Sequence, residues 1–286
     1  YVCMFVVRLL YISGIFLVHF LCISCAFSCT FSADNPDPKD YDLTMGYRQF
    51  ENNRSVRFMQ LMEDRKSLSW DDFLAIKYDG QLPYELHYPV DIKVLFELDA
   101  SRYKKYEELL DILQTWDGQS SFDNLGAAQF VILYDYLKQK YPTSYLDSTK
   151  VLTEFQLIDG IAHTYKYLKR NFKRVNIRLG DYQLLVRGDK EIPVNGIPDV
   201  ITAMYSEPYK NGRVRAVQGE SYIMLVRYPE EGLPIIETVN VFGASNQKDS
   251  PHYDDQMLLF LNQKRKSMTL DIDTVRKNAE SIYHPK

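Results

Sequence analysis

The sequence predicts an α+β fold: a helical portion at residues 51–175, antiparallel strands across 177–245, and a closing segment at 246–286. Three observations predict it. Between residues 51 and 170 apolar side chains recur at the spacing of one helix face. From Leu179 the periodicity changes and short strand-like runs bounded by glycine and proline take over. At Ser221–Tyr228 and Ile235–Phe242 two alternating runs flank Pro229-Glu230-Glu231-Gly232, which reads as an antiparallel hairpin.

Ahead of this body, residues 1–30 form an apolar leader; apart from His19, no acidic or basic residue stands between Arg8 and Asp34. A run of that length suits a secretory signal or a membrane anchor, with Arg8 as the leading charge and Ser24-Cys25-Ala26 as a small-residue cleavage site, or Ile23-Ser24-Cys25 as a lipoprotein-like one. Two other readings stay open: a buried helix, and an artefactual start, since the chain begins with Tyr1 rather than methionine. The expectation is that these residues stay out of the core of the body, 31–286.

Asn35 to Asp42 is rich in proline and aspartate and reads as a loop. An asparagine cap at Glu51-Asn52-Asn53 opens a helix through Phe58, Leu61 and Met62. Ser69 with Asp72 three residues on is a capping box with Asp in place of Glu, and Trp70, Phe73 and Ile76 stripe the helix that follows. Tyr106, Leu109, Leu110 and Leu113 mark the buried face of a third helix, ended at Trp116-Asp117-Gly118, an aromatic packing residue before a glycine turn. Phe130, Leu133, Tyr134 and Leu137 mark a fourth, closed by Pro142, and Leu157, Ile161 and Leu168 a fifth. His163 lies in that fifth helix with no nearby carboxylate pattern, so it reads as structural. Next come a short strand at 180–188, a Pro/Gly connection at 192–196, lead-in strands at 200–206 and 213–217, the hairpin, and a closing helix whose basic run Lys264-Arg265-Lys266 reads as solvated surface.

Composition excludes some functions. With 34 basic against 38 acidic residues the net charge is −4, so no positive field gathers phosphate backbones and nucleic acid is not an expected partner. All four cysteines, Cys3, Cys22, Cys25 and Cys29, precede residue 31, which leaves the body without a disulfide framework, a thiolate zinc site or a cysteine nucleophile. His252, Asp254 and Asp255 form a polar cluster that lacks a separated third ligand, so it reads as structural rather than as a metal site.

Several motifs in fixed order carry a resemblance: E-N-N-R-S-x-R at 51–57, W-D-G at 116–118, L-x-R-G at 185–188, G-E-S-Y at 219–222, and S-P-H-Y-x-D-Q at 250–256. Together they resemble the C-terminal half of the β subunit of penicillin-acylase-type enzymes, especially the acyl-homoserine-lactone and aculeacin-type acylases. The resemblance implies a fragment of an αββα N-terminal-nucleophile hydrolase that cleaves the amide of N-acyl substrates such as penicillins, acyl-homoserine lactones or acyl-peptides. In that family the β subunit begins with a serine whose own α-amino group is the general base. The nucleophile and the oxyanion asparagine are therefore expected outside this chain; only Cys29 to Pro36 resembles the tail of the N-x-N-x-T-P-F segment, and there is no G-x-S-x-G elbow. Carried over by motif, Arg54 lies near the acyl and oxyanion end of the site, and Glu220 matches a glutamate that orients a histidine beside the nucleophile amine in some members.

The resemblance implies further expectations. The partner is the rest of the enzyme, meaning the α subunit and the first half of β, and the substrate is a small N-acyl amide. No cofactor belongs to this chain, although some complete acylases hold calcium. The location is periplasmic or extracellular, with membrane anchoring possible. The competing reading is a non-catalytic, membrane-anchored scaffold or binding protein of the same fold.

Overall fold

In the computed structural model, which describes residues 5–12, 15–22, 53–83, 86, 92–141, 152–279 and 282, the leader contains two strands. β1 (Phe5–Ile12) and β2 (Ile15–Cys22) pair antiparallel, with Phe5 opposite Cys22 and Ile12 opposite Ile15. A helix was one reading of this stretch. Where nearly every residue is apolar, no period of two or 3.6 stands out, so sequence pattern alone does not separate the two. Among the described residues no helix is long and apolar enough to cross a membrane. The expected loop at 35–42, the cap residues Glu51 and Asn52, and Pro142 lie outside the described residues.

The chain divides into two units, Thr30–Gly219 and a second made of Tyr1–Cys29 with Glu220–Lys286. The first unit holds the helices the sequence predicts. They are α1 (Asn53–Met62), α2 (Trp70–Lys77), α4 (Glu107–Gln114) entered through a 3-10 turn at Ala100–Tyr106, α5 (Ala127–Lys140) and α6 (Glu154–Phe172); a short α3 (Lys93–Glu97), which the sequence did not predict, precedes α4. The capping box before α2 forms: the Ser69 hydroxyl accepts from the Asp72 amide and the Asp72 carboxylate accepts from the Ser69 amide, each at 3.1 Å. The Ser69 hydroxyl also donates to the Asp72 carboxylate at 2.7 Å, and this bond, with Arg65 at 2.7 Å and the Ser69 amide, lowers the pKa of Asp72 to about 2. Thr153 and Gln156 repeat the device at α6.

The stripes predicted for α4, α5 and α6 meet in one core, whereas those of α1 and α2, with Phe58, Leu61, Met62, Trp70 and Phe73 half-buried, lie outside it. Leu109, Leu113, Leu133, Leu137, Leu157, Ile161 and Leu168 are all 0% exposed. Helices α5 and α6 approach closely at Gly160, where a Cβ would stand 2.7 Å from both Leu133 Cδ1 and Leu137 Cδ2. Trp116 packs on Phe130 with ring centroids 4.6 Å apart, and its indole N–H donates to the Gln119 carbonyl and to Asn124. The aromatic packing role read for Trp116 thus holds, and Gly118 turns the chain at φ 77°. His163 also has a packing role: it is exposed and stacks on Tyr136 at 4.0 Å, and desolvation lowers its pKa.

Between α6 and the sheet the backbone is irregular, and buried glutamine amides satisfy it. Gln129, 0% exposed, donates to the carbonyls of Val175 (2.6 Å) and Ile177 (3.0 Å) and accepts from the Gly126 amide (3.1 Å). The segment then makes one helical turn, α7 (Leu179–Tyr182), where the sequence predicted that the strand had already begun. Two contacts account for the difference. The Asp181 carboxylate accepts from the Arg178 amide, capping the turn, and the Gly180 amide donates to the Phe122 carbonyl at 2.7 Å instead of to a neighbouring strand.

The strand proper is β3 (Gln183–Arg187), which turns at Gly188 into β4 (Lys190–Pro193). With β5 (Met204–Pro208) and β6 (Val214–Gly219) they make a sheet of order β4-β3-β6-β5. Its β3–β6 pairing is parallel, whereas the sequence predicts antiparallel strands. β4, β5 and their connections separate β3 from β6, and a connection of that length permits the parallel pairing that a tight hairpin does not. Gln183, 1% exposed, donates to the Gly196 carbonyl at 2.7 Å and accepts from the Ser206 hydroxyl at 3.0 Å.

In the second unit, β7 (Tyr222–Arg227) and β8 (Ile235–Asn240) pair antiparallel from Tyr222 opposite Asn240 to Arg227 opposite Ile235, the predicted hairpin. α8 (Met257–Leu261) follows, then β9 (Lys266–Met268) extends the sheet on β8, and α9 (Ile272–Asn278) ends it. One residue of the basic run differs from its reading as solvated surface: the Arg265 side chain is only 11% exposed and faces Glu237 at 3.5 Å, because β9 lies against β8.

Gly126 tests the packing of the first unit. It sits at φ 113°, and a Cβ there would lie 2.5 Å from the Trp116 ring. Backbone strain and overpacking add, so Gly126→Ala is expected to cost about 2–4 kcal/mol in urea unfolding.

Candidate functional site

α1 begins with buried polar residues, which its apolar spacing alone does not explain. Asn53 is 1% and Ser55 7% exposed. Between them Arg54 is half-buried, and its Nε donates to the Val200 carbonyl at 3.1 Å, a contact spanning 146 residues. One helical turn on, Arg57 holds Asp79 in a two-pronged pair, Nε to Oδ1 at 3.0 Å and Nη2 to Oδ2 at 2.7 Å, and Nη2 also donates to Gln81 Oε1 at 2.9 Å. Its fork matches the carboxylate plane, and with side chains 18% and 11% exposed the pair is shielded from water. Asp79 in turn accepts from the Gln81 amide and, through its carbonyl, from the Thr202 hydroxyl. Arg57 therefore anchors the helix that carries Arg54 to the segment containing Val200 and Thr202.

Asp199 completes this constellation. It adopts φ 68°, a left-handed conformation that aspartate tolerates better than most residues. Burial raises its pKa; Lys138, Arg54 and hydrogen bonds from Asn53 and Tyr205 pull the other way, with the Tyr205 hydroxyl at 3.5 Å from Oδ1. Asp135 is raised by burial as well, opposed by Lys138 at 3.7 Å, although 43% of its side chain faces water, which screens that pair. Asp199 thus feels residues from three elements: Asn53 and Arg54 of α1, Lys138 of α5 and Tyr205 of β5.

Glu220, the other residue expected in the site, is half-buried at the start of the second unit's 220–286 segment, directly after Gly219 at φ 154°. Arg54 and Glu220 thus belong to different units. The S-P-H-Y-D-D-Q cluster folds back on its own sheet. The Gln256 amide side chain accepts from the Asn240 N–H at 2.9 Å, the Gln256 N–H donates to the Phe242 carbonyl at 2.8 Å, the Ser245 N–H donates to the His252 carbonyl at 3.0 Å, and His252 Nδ1 lies 3.0 Å from Asp255. A Cβ on Gly243 would stand 2.1 Å from the His252 carbonyl oxygen, so only glycine lets this clasp close. Among the described residues no three His, Cys, Asp or Glu side chains gather to hold a metal ion.

Sequence reading singles out Arg54, takes Asn53 only as part of a helix cap, and passes over Arg57 and Asp199. The second arginine of E-N-N-R-S-x-R, one helical turn after the first, was an available signal for Arg57. Asp199 had only the Pro198-Asp199 dipeptide, which marks a turn and no partner.

The family profile described as penicillin amidase matches residues 28–277. The chain belongs to the penicillin amidase family. Among curated relatives, an acyl-homoserine lactone acylase PvdQ of Pseudomonas fluorescens is 33% identical over 88 residues, 30% of this chain and 11% of that protein. A protein of the same description from Pseudomonas syringae pv. syringae is 30% identical over 107 residues, 36% of this chain and 13% of its own length. The matched stretches thus span little more than a tenth of these relatives. Among solved structures, a thermostable penicillin G acylase from Alcaligenes faecalis aligns with TM-score 0.47 and 13% identity over 88% of this chain and 56% of that one.

In this member of the penicillin amidase family the Arg57–Asp79 pair is the contact most open to a direct test. A lysine at 57 keeps the charge but not the fork. Arg57→Lys is expected to lower stability by about 1–2 kcal/mol, read as a lower urea midpoint with the m-value unchanged.

Proposed function

We propose that this chain is part of an amidohydrolase that cleaves the linear amide of small N-acyl substrates, with Arg54 serving the acyl and oxyanion end of the site. The observation that carries the reading is the family match over residues 28–277, and the anchoring of Arg54 on Val200 fits it. The names of the curated relatives favour acyl-homoserine lactones, and the family description favours penicillins. Both contain an acyl carbonyl bonded to an amide nitrogen, the bond this chemistry cleaves.

In this reading the nucleophile is the N-terminal serine of a β subunit, carried with the α subunit by a part of the enzyme outside this chain. The serine hydroxyl attacks the carbonyl carbon as the α-amino group takes its proton. The amine leaves with that proton, and water then releases the acid from the acyl-enzyme. What this chain supplies is positioning. A cation held rigidly beside the acyl carbonyl meets the negative charge that develops on oxygen, and a preorganised donor of this kind contributes far more than a mobile one. Glu220 is assigned to orienting a histidine near the amine, and the enzyme is assigned to the periplasm or the cell exterior.

The test is hydrolysis of chromogenic N-acyl amides of graded acyl length by the full-length protein and by the 286-residue chain alone. Turnover is expected only from the first, and Arg54→Ala is expected to lower its kcat/KM by about 10²–10³-fold. Turnover by the chain alone, or none by the full-length protein on any amide tested, overturns the reading.

A further inference from the structure

We infer that Asn211-Gly212 is a site of spontaneous covalent modification, at which the Asn211 side chain cyclises onto the Gly212 nitrogen and reopens as aspartate or isoaspartate. The inference stands apart from the amide-hydrolase reading and needs no catalytic activity of the chain.

The sequence holds two Asn-Gly pairs, Asn195-Gly196 and Asn211-Gly212. Such a pair is chemically distinct because glycine has no Cβ to keep the asparagine side chain away from the following backbone nitrogen. The reaction is intramolecular, so how freely the two groups can meet sets its rate. The fold treats the two pairs in opposite ways.

At Asn195 both reacting groups are engaged. Its Oδ1 accepts from the Phe122 N–H at 2.8 Å, and the Gly196 N–H donates to the Ser120 carbonyl at 2.8 Å. Gly196 is also buried, its carbonyl accepts from Gln183 at 2.7 Å, and a Cβ there would stand 2.3 Å from the Thr202 carbonyl oxygen. Cyclisation at this pair requires breaking bonds in the core of the unit.

Asn211 lies at the tip that joins β5 to β6. Asn211 at φ 58° and Gly212 at φ 69° are both left-handed, and the Arg213 N–H donates to the Lys210 carbonyl at 3.1 Å. That is the pattern of a type I′ hairpin turn, whose two central positions favour Asn-Gly. Turn geometry therefore accounts for the pair, and the same geometry sets it in the open. Asn211 is exposed, and among the described residues no hydrogen bond holds its side chain. The backbone bonds that close the tip are donated by Tyr209, to the Arg213 carbonyl at 2.8 Å, and by Arg213; the Gly212 N–H is not among the donors.

In the first step the Gly212 nitrogen attacks Asn211 Cγ. A C–N bond forms, the bond from Cγ to the side-chain nitrogen breaks, and ammonia leaves with the proton given up by Gly212. Water then opens the cyclic imide at one of its two carbonyls. One opening gives aspartate with the main chain unchanged, and the other gives isoaspartate, which puts a methylene into the main chain. The tip has no room for that addition: the Gly212 carbonyl accepts from the Tyr167 hydroxyl at 2.9 Å, and a Cβ on Gly212 would already stand 2.3 Å from Asn171 Cγ. Both partners belong to α6, so isoaspartate releases the β5–β6 turn from that helix, whereas aspartate, which tolerates left-handed backbone, leaves it in place.

The full-length protein is incubated at mildly alkaline pH in heavy-oxygen water, folded and in urea, then digested with chymotrypsin and mapped by mass spectrometry with electron-transfer fragmentation to separate aspartate from isoaspartate. In the folded protein Asn211 is expected to convert at least about tenfold faster than Asn195, because only the second is held by structure. In urea the two rates should converge to within about threefold, since the local protection is gone. Equal rates at the two pairs in the folded protein, or an Asn211 that converts in urea and not when folded, would overturn the inference. Asn211→Asp should melt with the parent, and the isoaspartyl fraction, isolated by chromatography, should melt lower. An isoaspartyl fraction that melts with the parent would overturn the release of the turn from α6.

Discussion

The structure depends on satisfying buried backbone where it is neither helix nor sheet. An unpaired carbonyl away from water costs about 1–3 kcal/mol, and the stretch from Lys173 to Ile197 passes several of them through the core. Gln129 and Gln183 answer this need. Each is essentially without solvent exposure, each amide donates to backbone carbonyls of the irregular stretch, and each amide oxygen accepts a further hydrogen. Gln129 joins the start of α5 to the approach to α7, and Gln183 joins β3 to the loop that ends in Asp199 and Val200. Without them the helical core and the sheet would both remain possible, but the segment that presents the Val200 carbonyl to Arg54 would have no fixed path.

How much of this was legible follows from the range of the interactions. Leu109, Leu113, Leu133, Leu137, Leu157 and Ile161 could be placed on helix faces because the signal lies within a few residues, and all are fully buried. The Ser69 cap and the 221–242 hairpin are local in the same sense. The strand predicted from 180 begins only at Gln183, because the partner of the Gly180 amide is the Phe122 carbonyl, far away in sequence. Arg265 read as solvated because its cover, Glu237 on β8, is brought near only by strand pairing. At the site, Arg54 was found through a motif. Asp199 carried no pattern, since its meaning depends on residues of α1, α5 and β5 that meet only in the folded chain.

The two units solve the same problem by different means. In Thr30–Gly219, polar side chains are taken inside and given partners: Arg57 with Asp79, Gln129, Gln183, Asn53. In the C-terminal unit, a short polar segment is laid over the end of the sheet, with Gln256 bonded to Asn240 and Gly243 left bare so that the His252 carbonyl can approach. The dense run of functional groups at 250–256, which on sequence grounds asked for a reason beyond connection, has one in this closure.

These two closures also differ in when they can form. Gln256 reaches Asn240 across 16 residues, whereas Arg54 reaches Val200 across 146. Loop-closure entropy grows with the logarithm of separation, and contacts of long separation lower folding rates. The clasp on the C-terminal sheet is therefore an early, local event. The grip on Arg54 waits until the helices between are packed, so a chain that has folded everything except its long-range contacts would have a finished hairpin and an unaimed arginine.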